Sequence, residues 1–173
     1  MARDTQTGKV YEKAMEQLTK ESGHPDFAHV ETQKSMGKKK CGTENLVDLY
    51  CVSKDGEVTI MSLKHQEVSG TAEQKVSYEF DTLVDILVSN PEVRRARIVL
   101  HGKDKITHGE GWTLREYYTN PNYIKNRFLP DSIDIKIMKH EDFMKEYDLD
   151  AHKFQSAIEK FSSKVESEPL PLV

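Results

Sequence analysis

The sequence predicts an α/β fold, a mixed central sheet flanked by helices in the order helix, three strands, helix, strand. Three observations predict it. Two strand-like runs, Leu46 to Ser53 and Val58 to Gln66, flank the turn residues Lys54-Asp55-Gly56. Val76, Phe80, Leu83 and Leu87 then repeat at helical spacing, and Arg97-Ile98-Val99-Leu100 gives a short apolar strand behind that helix. With 173 residues, 36% hydrophobic and 31% charged, the chain suits one domain around one core. We assign residues 1–165 to that domain and 166–173, which contain proline, to a frayed tail.

The elements follow in order. From Thr5 to Lys20, Val10, Ala14, Met15 and Leu18 form one apolar stripe that stops at Ser22-Gly23, predicting a first amphipathic helix. Phe27 to Thr32 reads as a short strand and Lys34 to Gly42 as a basic, glycine-containing loop. The hairpin comes next. Thr71 is placed to cap the second helix, with Gln74 completing a capping box, and the apolar stripe ends before Pro91. Leu114 to Phe128 reads as helix interrupted by Pro121, Ile133 to Ile137 alternates as a strand, and Asp150 to Phe161 closes the domain as a helix.

Composition narrows the function classes. No apolar run approaches the length that spans a bilayer, and the polar N-terminus lacks a secretory pattern, so no membrane and a cytoplasmic location are expected. A net charge of −4 argues against bulk electrostatic coating of nucleic acid. Basic character is local: Lys34 with Lys38-Lys39-Lys40, and Arg94-Arg95-Ala96-Arg97 leading to Lys103 and Lys105. Cys41 and Cys51 read as reduced structural thiols, and the 7 histidines show no metal-ligand spacing. His101 and the aromatic residues Trp112, Tyr117, Tyr118 and Tyr123 read as structural. There is no phosphate-binding glycine loop and no serine or cysteine with a histidine and acid partner.

One polar constellation lies on the hairpin. Side chains alternate along a strand, so Ser62, Lys64 and Gln66 continue a face that Val58 and Ile60 begin, and Asp48 shares a face with Leu46, Tyr50 and Val52. A carboxylate in that pattern needs a partner. A three-residue loop with Gly56 in the left-handed region opposes Asp48 to Ser62, diagonal to Lys64 and within ionic reach. A two-residue loop opposes it to Leu63 instead.

Asp48, thirteen intervening residues and then Ser62-Leu63-Lys64 resemble the signature of the PD-(D/E)XK nucleases, in which a strand Asp precedes an acid-x-Lys triplet on the next strand. The resemblance spans roughly Gly8 to Leu100 and implies the restriction endonuclease-like αβββαβ core. Gly8-x-x-x-Glu12 stands where that family often carries an accessory acid. Val47 replaces the signature proline, and Ser62 replaces the acid, which a hydroxyl cannot match as a ligand for a hard cation. Some type II restriction endonucleases with Ser-x-Lys take the missing carboxylate from the following helix. Here that helix offers Glu73 and Glu79. Lys64 lies about 10 Å before the end of its strand, a distance that about seven helical residues retrace, which selects Glu79 and keeps Glu73 in reserve.

The resemblance implies a Mg²⁺-dependent endonuclease that hydrolyses double-stranded DNA, most simply a small type II restriction enzyme acting as a homodimer, with Mn²⁺ able to substitute. Asp48, Glu79 and the Leu63 backbone carbonyl would hold the metal. Lys64 would orient or deprotonate the attacking water, Gln66 would position the site or the DNA backbone, and Glu12 would bind a second ion through water. Ser62 is the reserve. Two alternatives stay open: a structure-selective nuclease of the junction-resolvase or phage-recombination type, and a non-catalytic DNA-binding module on the same fold.

Overall fold

A computed structural model describes residues 2–39 and 41–167 of the chain. Helix α1 (Ala2–Glu21) and a 3-10 turn at Pro25–Phe27 lead into β1 (His29–Lys38), β2 (Glu44–Val52) and β3 (Val58–Gln66). Helix α2 (Thr71–Ser89) and β4 (Val93–Gly102) follow, then three short helices, α3 (Lys105–His108), α4 (Arg115–Thr119) and α5 (Pro121–Lys125). Strand β5 (Ile135–Lys139), α6 (His140–Glu146) and α7 (Ala151–Ser167) complete the chain. The five strands form one mixed sheet in the order β1-β2-β3-β4-β5. Its first two pairings are antiparallel and its last two parallel.

Strand alternation divides the core into two layers. Val58, Ile60, Ala96, Ile98 and Ile137 face the stripe of α2 formed by Val76, Phe80, Leu83 and Ile86. On the opposite face Leu49, Cys51, Met61, Leu63 and Val99 meet Tyr11, Met15 and Leu18 of α1, Phe143 of α6 and Phe154 of α7. Each fully buried side chain of this size contributes about 1.5–3 kcal/mol relative to exposure. β3 and β4 are covered on both faces, so burial along them is nearly continuous and not alternating.

Several expectations need correction. The basic segment after Thr32 is not a loop: β1 continues through it to Lys38, because Lys34, Ser35 and Lys38 pair with Val47, Leu46 and Glu44 of β2. Thr71 makes no side-chain cap on α2, where Gly70 is the N-cap. The Glu73 N–H, an unpaired donor of the first turn, goes to the Gln66 side chain at 3.1 Å. The stretch interrupted by Pro121 is two helices, with the Asn120 side chain capping the second. Helix α6 was not anticipated. The predicted frayed tail is helical to Ser167, and its remainder lies outside the described residues. The Arg94–Arg97 run is part of β4. Arg97 is buried and bonded to Asp134 at 2.8 Å, while Arg95 reaches Glu57 at 2.9 Å.

The hairpin is built as the three-residue loop requires. The Ser53 N–H donates to the Glu57 carbonyl at 2.9 Å, and Gly56 has φ 84. Pairing runs from Val52 with Val58 to Leu49 with Met61, the register that aligns Asp48 with Ser62. No described helix is long and apolar enough to cross a membrane. Both cysteines are free.

Candidate active site

The β2–β3 ladder stops at Leu49 and Met61, one step short of Asp48. Beyond that point a cleft of about 640 Å³ opens between α1, the β1–β2 ribbon, the end of β3 and the start of α2. Its lining includes Glu12, Gln33, Asp48, Leu63, Lys64 and Gln66, with Lys9 and Lys75 at its edges. Residues separated by more than fifty positions in the chain thus share one opening.

Asp48 is fixed from two sides. Its Oδ2 accepts the Leu63 N–H at 2.7 Å, and its Oδ1 accepts a hydrogen bond from Gln33 Nε2 at 3.2 Å. Burial pushes its pKa above the ordinary value, and the charge of Glu79 pushes the same way. The Leu63 N–H, Lys64 and the Gln33 side chain oppose the rise. A strand residue's N–H and C=O share one edge, so the Leu63 carbonyl also faces the β2 edge, past the last ladder pair.

Lys64 does not pair with Asp48 as the sequence suggested. Its ammonium lies 3.8 Å from Glu79 Oε2, which confirms that the helix retraces the strand to that residue. Glu12 is the third acid. Its pKa is pushed up to about 7, first by burial and then by the charge of Asp48, against the attraction of Lys64 and Lys9. Three carboxylates therefore surround one lysine. Their mutual repulsion is the electrostatic condition that a bound cation relieves.

The other expected residues have different duties. Glu73 is 7% exposed, and its carboxylate accepts hydrogen bonds from the Thr113 N–H at 2.5 Å, the Thr113 hydroxyl at 2.6 Å and the Leu114 N–H. It secures the entry to α4, so it is not available as a second metal ligand. Gln66 is also buried: its Oε1 takes the Glu73 N–H and its Nε2 donates to the Gly111 carbonyl at 3.2 Å. A Cβ on Gly102 would collide with the Gln66 carbonyl, and Gly102 has φ 113, so glycine is required there. Gln66 thus holds the floor of the site together, and at 4% exposure its amide presents almost no surface to a DNA backbone. Ser62 is 1% exposed, and among the described residues its hydroxyl has no hydrogen-bond partner.

Among the described residues no three acidic, histidine or cysteine side chains converge closely enough to hold a metal ion alone. In chemical type the carboxylates of Asp48, Glu12 and Glu79 and the Leu63 carbonyl are the oxygen donors that a hard divalent cation takes. Mg²⁺ characteristically uses one or two carboxylates and keeps several waters. Sequence reasoning missed Gln33, which it placed at the edge of a loop, and the lining lysines Lys9 and Lys75. Nothing local marks Gln33, because its partner Asp48 lies on another strand.

Comparison with known proteins finds no matching family model, no matching curated protein and no matching solved structure.

Proposed function

We propose that the chain is a metal-dependent deoxyribonuclease of the PD-(D/E)XK type, a Ser-x-Lys variant whose second carboxylate is Glu79. The observation that carries this reading is the pairing of Lys64 with Glu79 at 3.8 Å, beside an Asp48 anchored on the Leu63 N–H in an open cleft. The helix, three strands, helix, strand order agrees with the same reading.

Hydrolysis of a phosphodiester joins a water oxygen to phosphorus and breaks the bond from phosphorus to one sugar oxygen. The residues present suit that change. Asp48, Glu79 and the Leu63 carbonyl would hold Mg²⁺, with Glu12 as an accessory carboxylate. The ion supplies charge neutralisation at the phosphate and a more acidic water. Lys64, held in place by Glu79, would donate hydrogen bonds to a phosphate oxygen and to the attacking water, offsetting charge as it develops. Gln66 acts indirectly, by tying the end of β3 to the first turn of α2.

DNA as substrate is supported by the basic rim. Lys9 and Lys75 edge the cleft, and the Lys39 ammonium lies 5.6 Å from the ring centroid of Tyr78, next to Glu79. In the type II reading, two copies would act on the two strands of a symmetric site. One observation favours the structure-selective alternative. Tyr78 is 56% exposed, an aromatic face on which an unpaired base can stack.

The test is direct. The purified protein should cut DNA in Mg²⁺ or Mn²⁺, stop in EDTA and lose cutting as Lys64→Ala or Glu79→Gln. Intact cutting by Lys64→Ala would defeat the mechanism. Linear duplex and branched substrates compared side by side separate the two nuclease readings. DNA binding with no Mn²⁺ uptake would support the non-catalytic module.

A further inference from the structure

We infer that Gln33 is the positioning residue that presents Asp48, and that the kink it makes in β1 opens the cleft. The β1–β2 ladder pairs His29 with Val52 through Thr32 with Leu49, then resumes at Lys34 with Val47. Gln33 and Asp48 are the couple left unpaired between them. Gln33 has φ 50, in the left-handed region that a non-glycine residue adopts at a cost. Among the described residues the other non-glycine positions with positive φ, Phe128 and Asp148, follow the short helices α5 and α6, where such a conformation commonly ends a helix. Gln33 alone of the three lies inside a strand.

The kink has two consequences. On its near side Val30, Leu49 and Cys51 belong to the core layer under α1, while on its far side Met36 and Val47 belong to the layer under α2. The ribbon therefore changes faces at Gln33, its ladder to β3 ends, and the cleft lies in the gap. At the same point Asp48, without a backbone partner on β1, directs its carboxylate to the Leu63 N–H at 2.7 Å and receives the Gln33 amide at 3.2 Å. A strained residue that lines the cleft and bonds the principal acid has a role in placing that acid.

The inference rests on the nuclease reading for its purpose, although its geometry is measurable without activity. Gln33→Gly relieves the left-handed strain and removes the amide, and Gln33→Glu keeps the length but replaces the donor with an acceptor. The Leu63 amide reports on Asp48, so its hydrogen exchange is measured by NMR in the metal-free wild type and both variants. Mn²⁺ binding is then measured by calorimetry. Leu63 exchange should accelerate up to about tenfold, the loss of one hydrogen bond, while exchange at Met61 and Val99 stays unchanged. Mn²⁺ affinity should fall in parallel. In Gln33→Gly the urea midpoint should hold or rise. Unchanged Leu63 exchange in both variants would overturn the inference, as would an acceleration spread evenly over the β1–β2 ribbon. If the wild type neither binds Mn²⁺ nor cuts DNA while the Leu63 response is as described, the nuclease reading fails and the positioning role stands.

Discussion

Lowering the pH from 7 to 5 should destabilise the fold through a buried histidine cluster behind the cleft. His65 Nδ1 lies 2.8 Å from His101 Nδ1, and His65 Nε2 lies 3.1 Å from Glu67. The Tyr11 ring stacks on His101 at 4.4 Å, and its hydroxyl lies 3.0 Å from His140 Nδ1. One proton fits between the facing nitrogens of His65 and His101, and two do not. Burial holds the His101 pKa down to about 2, with the charges of His140, His65 and Arg115 adding to the effect. His140 is held to about 4 by burial and then by His65. Burial also lowers His65, against the attraction of Glu67.

The sign follows from proton uptake. Below about 6.5 the unfolded imidazoles bind protons that the folded ones refuse, so stability is lost as the pH falls from 7 toward the folded values. Between pH 7 and 5 each of His101 and His140 should cost about 2 kcal/mol, and the pair about 4 kcal/mol. Glu12 works the other way. Its pKa is raised to about 7, so the folded state gains stability as the pH falls through that value, an effect reduced by its partial exposure. Asp48, also raised, adds to that opposition at lower pH. Glu12→Gln removes the largest opposing term near neutrality.

Urea unfolding followed by Trp112 fluorescence suits the measurement. Trp112 is the only tryptophan, fully buried, and its indole N–H donates to the His101 carbonyl at 2.8 Å. With a slope of about 2 kcal/mol per molar urea, the midpoint of Glu12→Gln should drop by about 1–2 M between pH 7 and 5. The wild type should drop less. A constant or rising midpoint in Glu12→Gln would refute the argument, because it would mean that the histidines titrate in the fold as they do in water.

The two acids of α2 should separate cleanly: Glu73→Gln should cost about 2–4 kcal/mol in urea unfolding, because it replaces a buried carboxylate that accepts three hydrogen bonds. Glu79→Gln should leave the midpoint within about 0.5 kcal/mol of wild type while abolishing metal-dependent cutting. Ser62→Ala removes a buried hydroxyl without a partner, so stability should stay level or rise by up to about 1 kcal/mol, and cutting should persist. Lys39→Ala combined with Lys75→Ala should lower the salt dependence of DNA binding, measured by fluorescence anisotropy in Ca²⁺, by about two counterions; an unchanged slope would remove these lysines from the DNA contact.

The order of elements, the register of the hairpin and the place of Glu79 beside Lys64 were legible in the sequence because each depends on a short-range rule. Alternation and helical periodicity repeat within a few residues, Gly56 sets the loop that fixes the β2–β3 register, and the different rises of strand and helix bring Glu79 back over Lys64. The tertiary structure decided the rest. Gln33 sits in a basic, polar run with no apolar period, so only its pairing with β2 makes it a strand residue and only its kink makes it a neighbour of Asp48. Glu73 and Glu79 have the same side chain on the same helix, yet Thr113, forty residues on, engages one and leaves the other to Lys64. The cluster of Tyr11, His65, His101 and His140 has no spacing to read, because four separate elements bring it together. Local rules set where a polar side chain stands. Which partner it meets, and therefore whether it is structural or free for chemistry, is set by segments that are distant in the chain and adjacent only in the packed fold.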